Sequence, residues 1–291
     1  MSNIPYSGGT IVNTTFTTTV GTRQEIVTAL ETHLTTAGWT VISGSGTGTV
    51  VMKSATTAAP KSNSIRVRLL EVGSGNCAQV KIENDAGTLT SQAHYLLPSA
   101  LKVFRIIACK YNFFVFNAAT TTARSFLAAG TLHIPSHLEG LTTADLGWIQ
   151  GNGESDSDTS IQVSFRTVPY ARWCSQIFNN ALSNCQGTNG VHELSPPSSI
   201  GGHYNSNTLN NTRWSDDSIV TSEARLGFGA TSGAECKLQG FIHNCLVATA
   251  SYAGDDVSVS SYDSHAWFAI TQSNAGSLQS HPRLTLFAAI T

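Results

Sequence analysis

The stretch that decides the fold is Ala100–Pro135, ALKVFRIIACKYNFFVFNAATTTARSFLAAGTLHIP. It carries the densest apolar and aromatic run of the chain: Val103, Phe104, Ile106, Ile107, Tyr111, Phe113, Phe114, Val115 and Phe116. Enrichment in β-branched and aromatic residues predicts two strands, Lys102–Cys109 and Asn112–Asn117, separated by the short polar interval Lys110-Tyr111. A Thr-rich turn then leads to a third apolar segment, Arg124–Leu132. These strands are expected at the centre of a sheet, with their aromatics packed under a helix.

That helix is predicted upstream. Thr22 and Glu25 have the Thr-x-x-Glu spacing of a capping box, in which each side chain satisfies a first-turn backbone N–H. Ile26, Leu30, Leu34 and Ala37 follow at helical spacing and make one apolar stripe. Gly38 stands where a left-handed residue ends a helix, and Trp39 is expected to fold back on the core. Before the helix, Gly8-Gly9 and the alternating Thr10–Thr19 read as an edge strand or a lead-in arm. After it come two hairpins. Trp39–Ser43 and Thr49–Lys53 are joined by GSGTG. Ser64–Glu71 and Cys77–Glu83 alternate apolar with polar positions across VGSGN.

One helix, two hairpins and the long apolar strands predict an α+β domain over residues 1–135, an antiparallel sheet with one covering helix. Past His133 the texture changes. Residues 136–160 are turn-rich and read as a loop, Ile161–Val168 as a strand and Tyr170–Ala181 as a short helix. Gln186–Ser218 is a long Asn/Gly/Ser/Pro stretch of the kind that is functional or ordered by a neighbour. Strands return at Ala224–Phe228, Lys237–Ser251, Ala266–Thr271 and Leu284–Ile290. Residues 136–291 therefore read as a loop-rich all-β domain.

Composition narrows the function classes. The 291 residues suit two domains or one large β domain, and 41% apolar content supports a sizeable core. Charged residues make up 12%, about half the usual ~25%. Thr, Ser, Asn and Gly fill the difference. A polar but uncharged surface suits a protein packed in an assembly better than a dispersed monomer. The net charge of −2, the pI near 6.5 and the lack of a Lys/Arg cluster exclude an electrostatic footprint for nucleic acid. No apolar run reaches the ~18 residues of a helical membrane span. MSNIPYSGGT lacks the basic and apolar parts of a secretory signal, so synthesis and folding in a cytoplasm are expected.

Chemistry-bearing motifs are few. The six cysteines, Cys77, Cys109, Cys174, Cys185, Cys236 and Cys245, include no Cys-x-x-Cys pair, and no metal site or cofactor is expected. Cys109 reads as a buried thiol, and Cys174 with Cys185 as free thiols in a reducing compartment, a bridge between them being the alternative. GSGTG precedes a strand, so it is a hairpin turn rather than a dinucleotide loop. His133 and His137 are four apart but separated by Pro135, which removes a helical ligand face. His192-Glu193 lies in the long polar stretch. Asp156/Asp158, Asp216/Asp217, Asp255/Asp256, and Asp263 near His265, read as solvated turns. GESDSDTS lacks the turn glycine and closing glutamate of a calcium loop, and two carboxylates flanking a sugar are not visible in sequence. No catalytic residues are assigned. The aromatics Trp148, Tyr204 and Trp214, with Trp173, His203, Tyr252, Tyr262 and Trp267 around them, suit core or interface packing, with saccharide stacking as the alternative.

The motifs Leu34-Thr-Thr-Ala-Gly-Trp39, Ser64-Ile-Arg-Val-Arg-Leu69, Tyr95-Leu-Leu-Pro98, Lys110-Tyr-Asn-Phe-Phe-Val-Phe116 and Ala128-Ala-Gly-Thr-Leu-x-Ile-Pro135 resemble those of virion structural proteins of tailed bacteriophages. The close, Gly240-Phe241, Asp263-Ser-His265-Ala-Trp267, Ile270-Thr271 and Leu284–Ile290, is similar to that of phage structural proteins. The resemblance covers most of residues 8–135 and parts of 238–290. It implies a non-enzymatic subunit of the tail, baseplate or fibre attachment, present as symmetric copies in the virion and docked to other virion proteins. A receptor- or host-glycan-binding tail protein and a capsid decoration protein are the alternatives, and a hydrolase of cell-surface polymer ranks below both.

Overall fold

The computed structural model describes residues 9–18, 23–57, 62, 64–71, 78–83, 94–96, 102–117, 126–133, 147–152, 161–162, 167–168, 171–174, 221–229, 236–248, 265–271 and 285–291. These form strands and one helix. In chain order, the first part runs β1 (Val12–Thr18), α1 (Arg23–Thr36), β2 (Thr40–Ser43), β3 (Thr49–Lys53), β4 (Arg66–Glu71) and β5 (Ala78–Glu83). Then come β6 (His94–Leu96), β7 (Lys102–Ala108), β8 (Asn112–Asn117), β9 (Phe126–His133) and β10 (Gly147–Asn152).

Hydrogen-bonded pairing orders these strands β2-β3-β4-β5-β6-β10-β9-β8-β7-β1, every neighbour antiparallel. Laid flat, ten strands at ~4.8 Å spacing would separate β1 from β2 by about 43 Å. Yet α1, a rod about 10 Å across, packs against both β1 and β2, and also against β3, β4, β5 and β7. The sheet therefore curls, and α1 lies in its concave face.

The local rules account for α1. Ile26, Leu30, Leu34 and Ala37 are all buried, and Val27 widens the stripe. Gly38 has a φ of 100°, the left-handed conformation that a Cβ disfavours. Its N–H donates to Thr35 O (3.0 Å), and Trp39 N–H donates to Leu34 O (2.9 Å). This pair of bonds is the Schellman closure of a helix. It turns Trp39 inward, where its ring meets Phe113 edge-on at 5.7 Å and its Nε1 donates to Cys109 O at 2.9 Å. Thr22 of the expected capping box lies outside the described residues.

The apolar stretch makes β7, β8 and β9, close to the predicted bounds. Its aromatics do not all face the helix. Phe104, Ile106, Phe113 and Val115 join the core around α1, whereas Ile107, Cys109, Phe114 and Phe116 are buried outside that cluster. Strand alternation requires this split, because successive side chains point to opposite faces. The outer face is covered from the far end of the chain: Phe268 stacks on Phe116 at 5.3 Å, and the Arg105 guanidinium lies 4.0 Å from the Phe268 ring centre. Burial on both faces explains why Phe113–Phe116 reads as an unbroken apolar run rather than an alternation.

The later strands are β11 (Ile161–Gln162), β12 (Thr167–Val168), β13 (Ala171–Cys174), β14 (Thr221–Gly229), β15 (Cys236–Ala248), β16 (Trp267–Thr271) and β17 (Thr285–Ala289). Pairing gives the antiparallel order β14-β15-β17-β16. Two sequence expectations are corrected. Gly147–Asn152, read as loop, is a strand because both its edges are paired, with β9 and with β6. Ala171–Cys174, read within a helix, is a strand paired in parallel with β10 and antiparallel with β12, so tertiary pairing overrides local preference. Of the expected Ile161–Val168 strand, Ile161–Gln162 pairs with β10 and Thr167–Val168 with β13, and residues 163–166 lie outside the described residues. Gln186–Ser218 lies outside the described residues.

Candidate functional site

Polar and reactive side chains concentrate where β15 meets the β7–β8 turn. The turn Cys109-Lys110-Tyr111 is clamped through its backbone: Cys109 N–H donates to Asn112 O, Ala55 N–H to Lys110 O and Thr131 N–H to Tyr111 O, each at 2.9 Å. Asn112 then links both halves of the chain. Its Oδ1 accepts from the Cys109 thiol at 3.0 Å, and its Nδ2 donates to His243 O at 2.6 Å. Opposite Asn112 in the ladder stands Gly130. A Cβ there would come within 2.4 Å of Asn112 Cβ and 2.8 Å of Tyr111 O, so the close approach requires glycine.

β9 changes partner at this point. It pairs with β8 as far as Gly130, and beyond Thr131 it pairs with β15, Leu132 opposite Ile242 and His133 opposite Phe241. β15 reaches this position by a bulge. Its register against β14 jumps from Phe241 opposite Arg225 to Leu246 opposite Glu223, and within the jump Asn244 has a φ of 53°. Asparagine is among the few residues that tolerate this left-handed conformation. The bulge re-aims His243, as bulges commonly do. Its ring stacks on Tyr111 at 4.2 Å, with His133 edge-on to it at 5.7 Å.

The cluster is nearly dry: His243 is 3% exposed and Cys245 0%, and Cys109, Tyr111, Asn112 and Asn244 are buried. Desolvation lowers the pKa of the half-buried His133. Burial, with the neighbouring Cys109 adding to it, pushes the Cys245 thiol well above its usual range. A thiol held protonated in this way is a poor nucleophile. Cys109 and Cys245 are both buried thiols outside any disulfide, as expected for Cys109. Among the described residues, no group of three or more His, Cys, Asp or Glu side chains is placed to hold a metal ion. What this arrangement can do is join strands. A donor–acceptor chain and a three-ring stack tie β15 to the turn and to β9.

Of the sequence-predicted aromatics Trp148, Tyr204 and Trp214, one lies among the described residues. Trp148 occupies β10, opposite Gly130 on one side and Cys174 on the other. Tyr204 and Trp214 lie outside the described residues, as do His137, His192, Glu193, Cys185 and the acidic pairs with Asp263. His265 Nδ1 lies 2.8 Å from Thr291 O, and Thr291 Oγ1 accepts from Ala266 N–H, which ties together the ends of β16 and β17. GSGTG is a hairpin turn, with Gly44 at a φ of 77° and Thr47 N–H donating to Gly44 O. Glu31 of α1 accepts from Ser45 Oγ and from Gly46 N–H, tethering this turn to the helix.

Sequence reasoning missed His243, Asn244 and Cys245, because Lys237–Ser251 reads as one regular strand. The available signal was His-Asn interrupting the apolar run Phe241–Val247, since asparagine is depleted in strands and marks left-handed positions. In comparisons with known proteins, the chain matches no family model and no curated sequence.

Proposed function

We propose that this chain is a non-enzymatic structural subunit of a tailed-bacteriophage virion, placed at the tail, baseplate or fibre attachment. In this reading residues 1–135 dock on other virion proteins and on copies of the same chain, and residues 136–291 form the β-rich part that carries the loops. The observation that supports it is how the reactive side chains of the seam are used. Cys109, Asn112, His133 and His243 hold strands together inside the protein, with Cys245 buried near Cys109, and a low-charge polar surface suits permanent packing against neighbours.

Mass spectrometry of purified, washed particles tests the proposal. The chain is expected in intact particles at a copy number set by the particle's symmetry. Its absence from them overturns the proposal. Gold-labelled antibody on the head rather than the tail would identify a capsid decoration protein. Host-glycan binding lost on replacing Trp148, Tyr204 and Trp214 by alanine would identify a receptor-binding tail protein.

A further inference from the structure

The convex face of β3, β4 and β5 gathers charges that are dispersed along the chain. Met52, Val67, Leu69, Val80 and Ile82 belong to the core around α1. Strand alternation therefore puts Lys53, Arg66, Arg68, Lys81 and Glu83 on the opposite face. Register sets Lys53 directly opposite Arg66, and Arg68 directly opposite Lys81. Each is a cross-strand pair of like charges, an arrangement that destabilises a sheet. Breaks of a local rule of this kind concentrate at functional sites.

Compensation on this face of the three strands comes from Glu83, which stands opposite Arg66, is 1% exposed and accepts from Arg68 Nε. Glu71 ends β4 on the other set of alternating positions. Four cations to one carboxylate leave an excess of three positive charges. Strand spacing and the two-residue repeat confine them to about 10 by 7 Å. Lys53 and Arg66 make further contacts and supply charge from the edge of the patch. Arg68 and Lys81 form its centre. Arg68 is 33% exposed and presents five N–H donors, and Lys81 is partly exposed beside it.

We propose that this face is a docking surface for an acidic polypeptide segment of a neighbouring protein. Carboxylates on one side of an extended segment recur every ~6.8 Å, the repeat of Arg66 and Arg68 along β4. Set between the strands, they turn each repulsive pair into two cations sharing an anion. Nucleic acid fits less well. The chain is acidic overall, at −2, and β3, β4 and β5 carry no aromatic ring on which a base could stack. Docking here needs only an acidic neighbour, so it does not rest on the virion reading.

Fluorescence anisotropy of a labelled oligoglutamate peptide with the full chain tests this. Binding is expected at low salt and should weaken as salt rises. Lys53→Gln combined with Lys81→Gln should weaken it about tenfold, the worth of two exposed charge contacts. Lys81→Glu separates docking from folding. It sets opposite charges across from each other at Arg68, so the urea midpoint should hold or rise while peptide binding is lost. Absence of peptide binding by the parent chain would overturn the proposal. So would binding unchanged in both variants, which would place the contact elsewhere. Tighter binding of single-stranded or duplex DNA of matched charge would overturn it in favour of nucleic acid. A lowered urea midpoint in Lys81→Glu would mean that Lys81 is already compensated within the fold, and would overturn it too.

Discussion

Gly130→Ala is the sharpest test of how the two parts of the chain are joined. Two effects oppose each other. Alanine restricts the unfolded chain, which by itself stabilises by about 0.4–1 kcal/mol. Against this, the new Cβ would sit 2.4 Å from Asn112 Cβ, 2.8 Å from Tyr111 O and 2.9 Å from Asn112 Cα. Carbon atoms prefer about 3.5–4.0 Å, so β8 and β9 must separate by about 1 Å. Two of the three obstructing atoms are backbone, and the turn they belong to is clamped at Cys109, Lys110 and Tyr111. The strain cannot be relieved by a side-chain rotation. Overpacking costs about 1–3 kcal/mol, and loosening the buried Asn112–His243 bond adds about 1–2 kcal/mol. Sterics wins, for a net loss of about 1–4.6 kcal/mol by these ranges. Urea unfolding should show a lower midpoint at unchanged slope. Gly46→Ala is the control: its φ of 71° is also left-handed, but nothing lies within 4 Å of the added Cβ. Its cost should stay near 1–2 kcal/mol, roughly that of a left-handed alanine. A Gly130→Ala protein as stable as the parent, or more stable, would refute the close approach of β8 and β9.

Further perturbations separate the layers. Phe114→Asp should abolish soluble folding, judged by soluble yield and circular dichroism, because it buries a charge between β8 and the layer outside it. A normally folded variant would show that Phe114 faces solvent. Asn112→Ala removes both the acceptor of the Cys109 thiol and the donor to His243 O, and should cost about 1–3 kcal/mol in urea unfolding. Glu31→Ala breaks an exposed tether to the GSGTG turn and should cost under about 1 kcal/mol, measured in the same assay. Cys109 and Cys245 should resist a thiol reagent in the native protein and react on denaturation, as buried thiols do. Rapid native labelling of both would contradict their burial.

Elements governed by neighbours in sequence were legible from the chain alone. The Ile26-Leu30-Leu34-Ala37 stripe, the glycine stop at Gly38, the inward turn of Trp39 and the paired alternations of β4 and β5 all follow from local periodicity and backbone preference. Tertiary structure decided which face each aromatic of β8 meets, because an unbroken apolar run carries no information about what covers either side. It also decided that Gly147–Asn152 and Ala171–Cys174 are strands, since their hydrogen bonds go to partners distant in sequence. The seam lies furthest from local rules. Asn112 and His243 are 131 positions apart, and they meet only through the bulge at Asn244 and the close approach at Gly130. A bulge shifts register by residues whose side chains look like those of any strand, so its consequence is visible only once both partners are in place. The sequence by itself determined the parts of a curled sheet and the helix α1. Long-range pairing and packing determined that the apolar strands β7 and β8 are buried on both faces and that the turn between them, at Cys109–Asn112, is where β15 is joined.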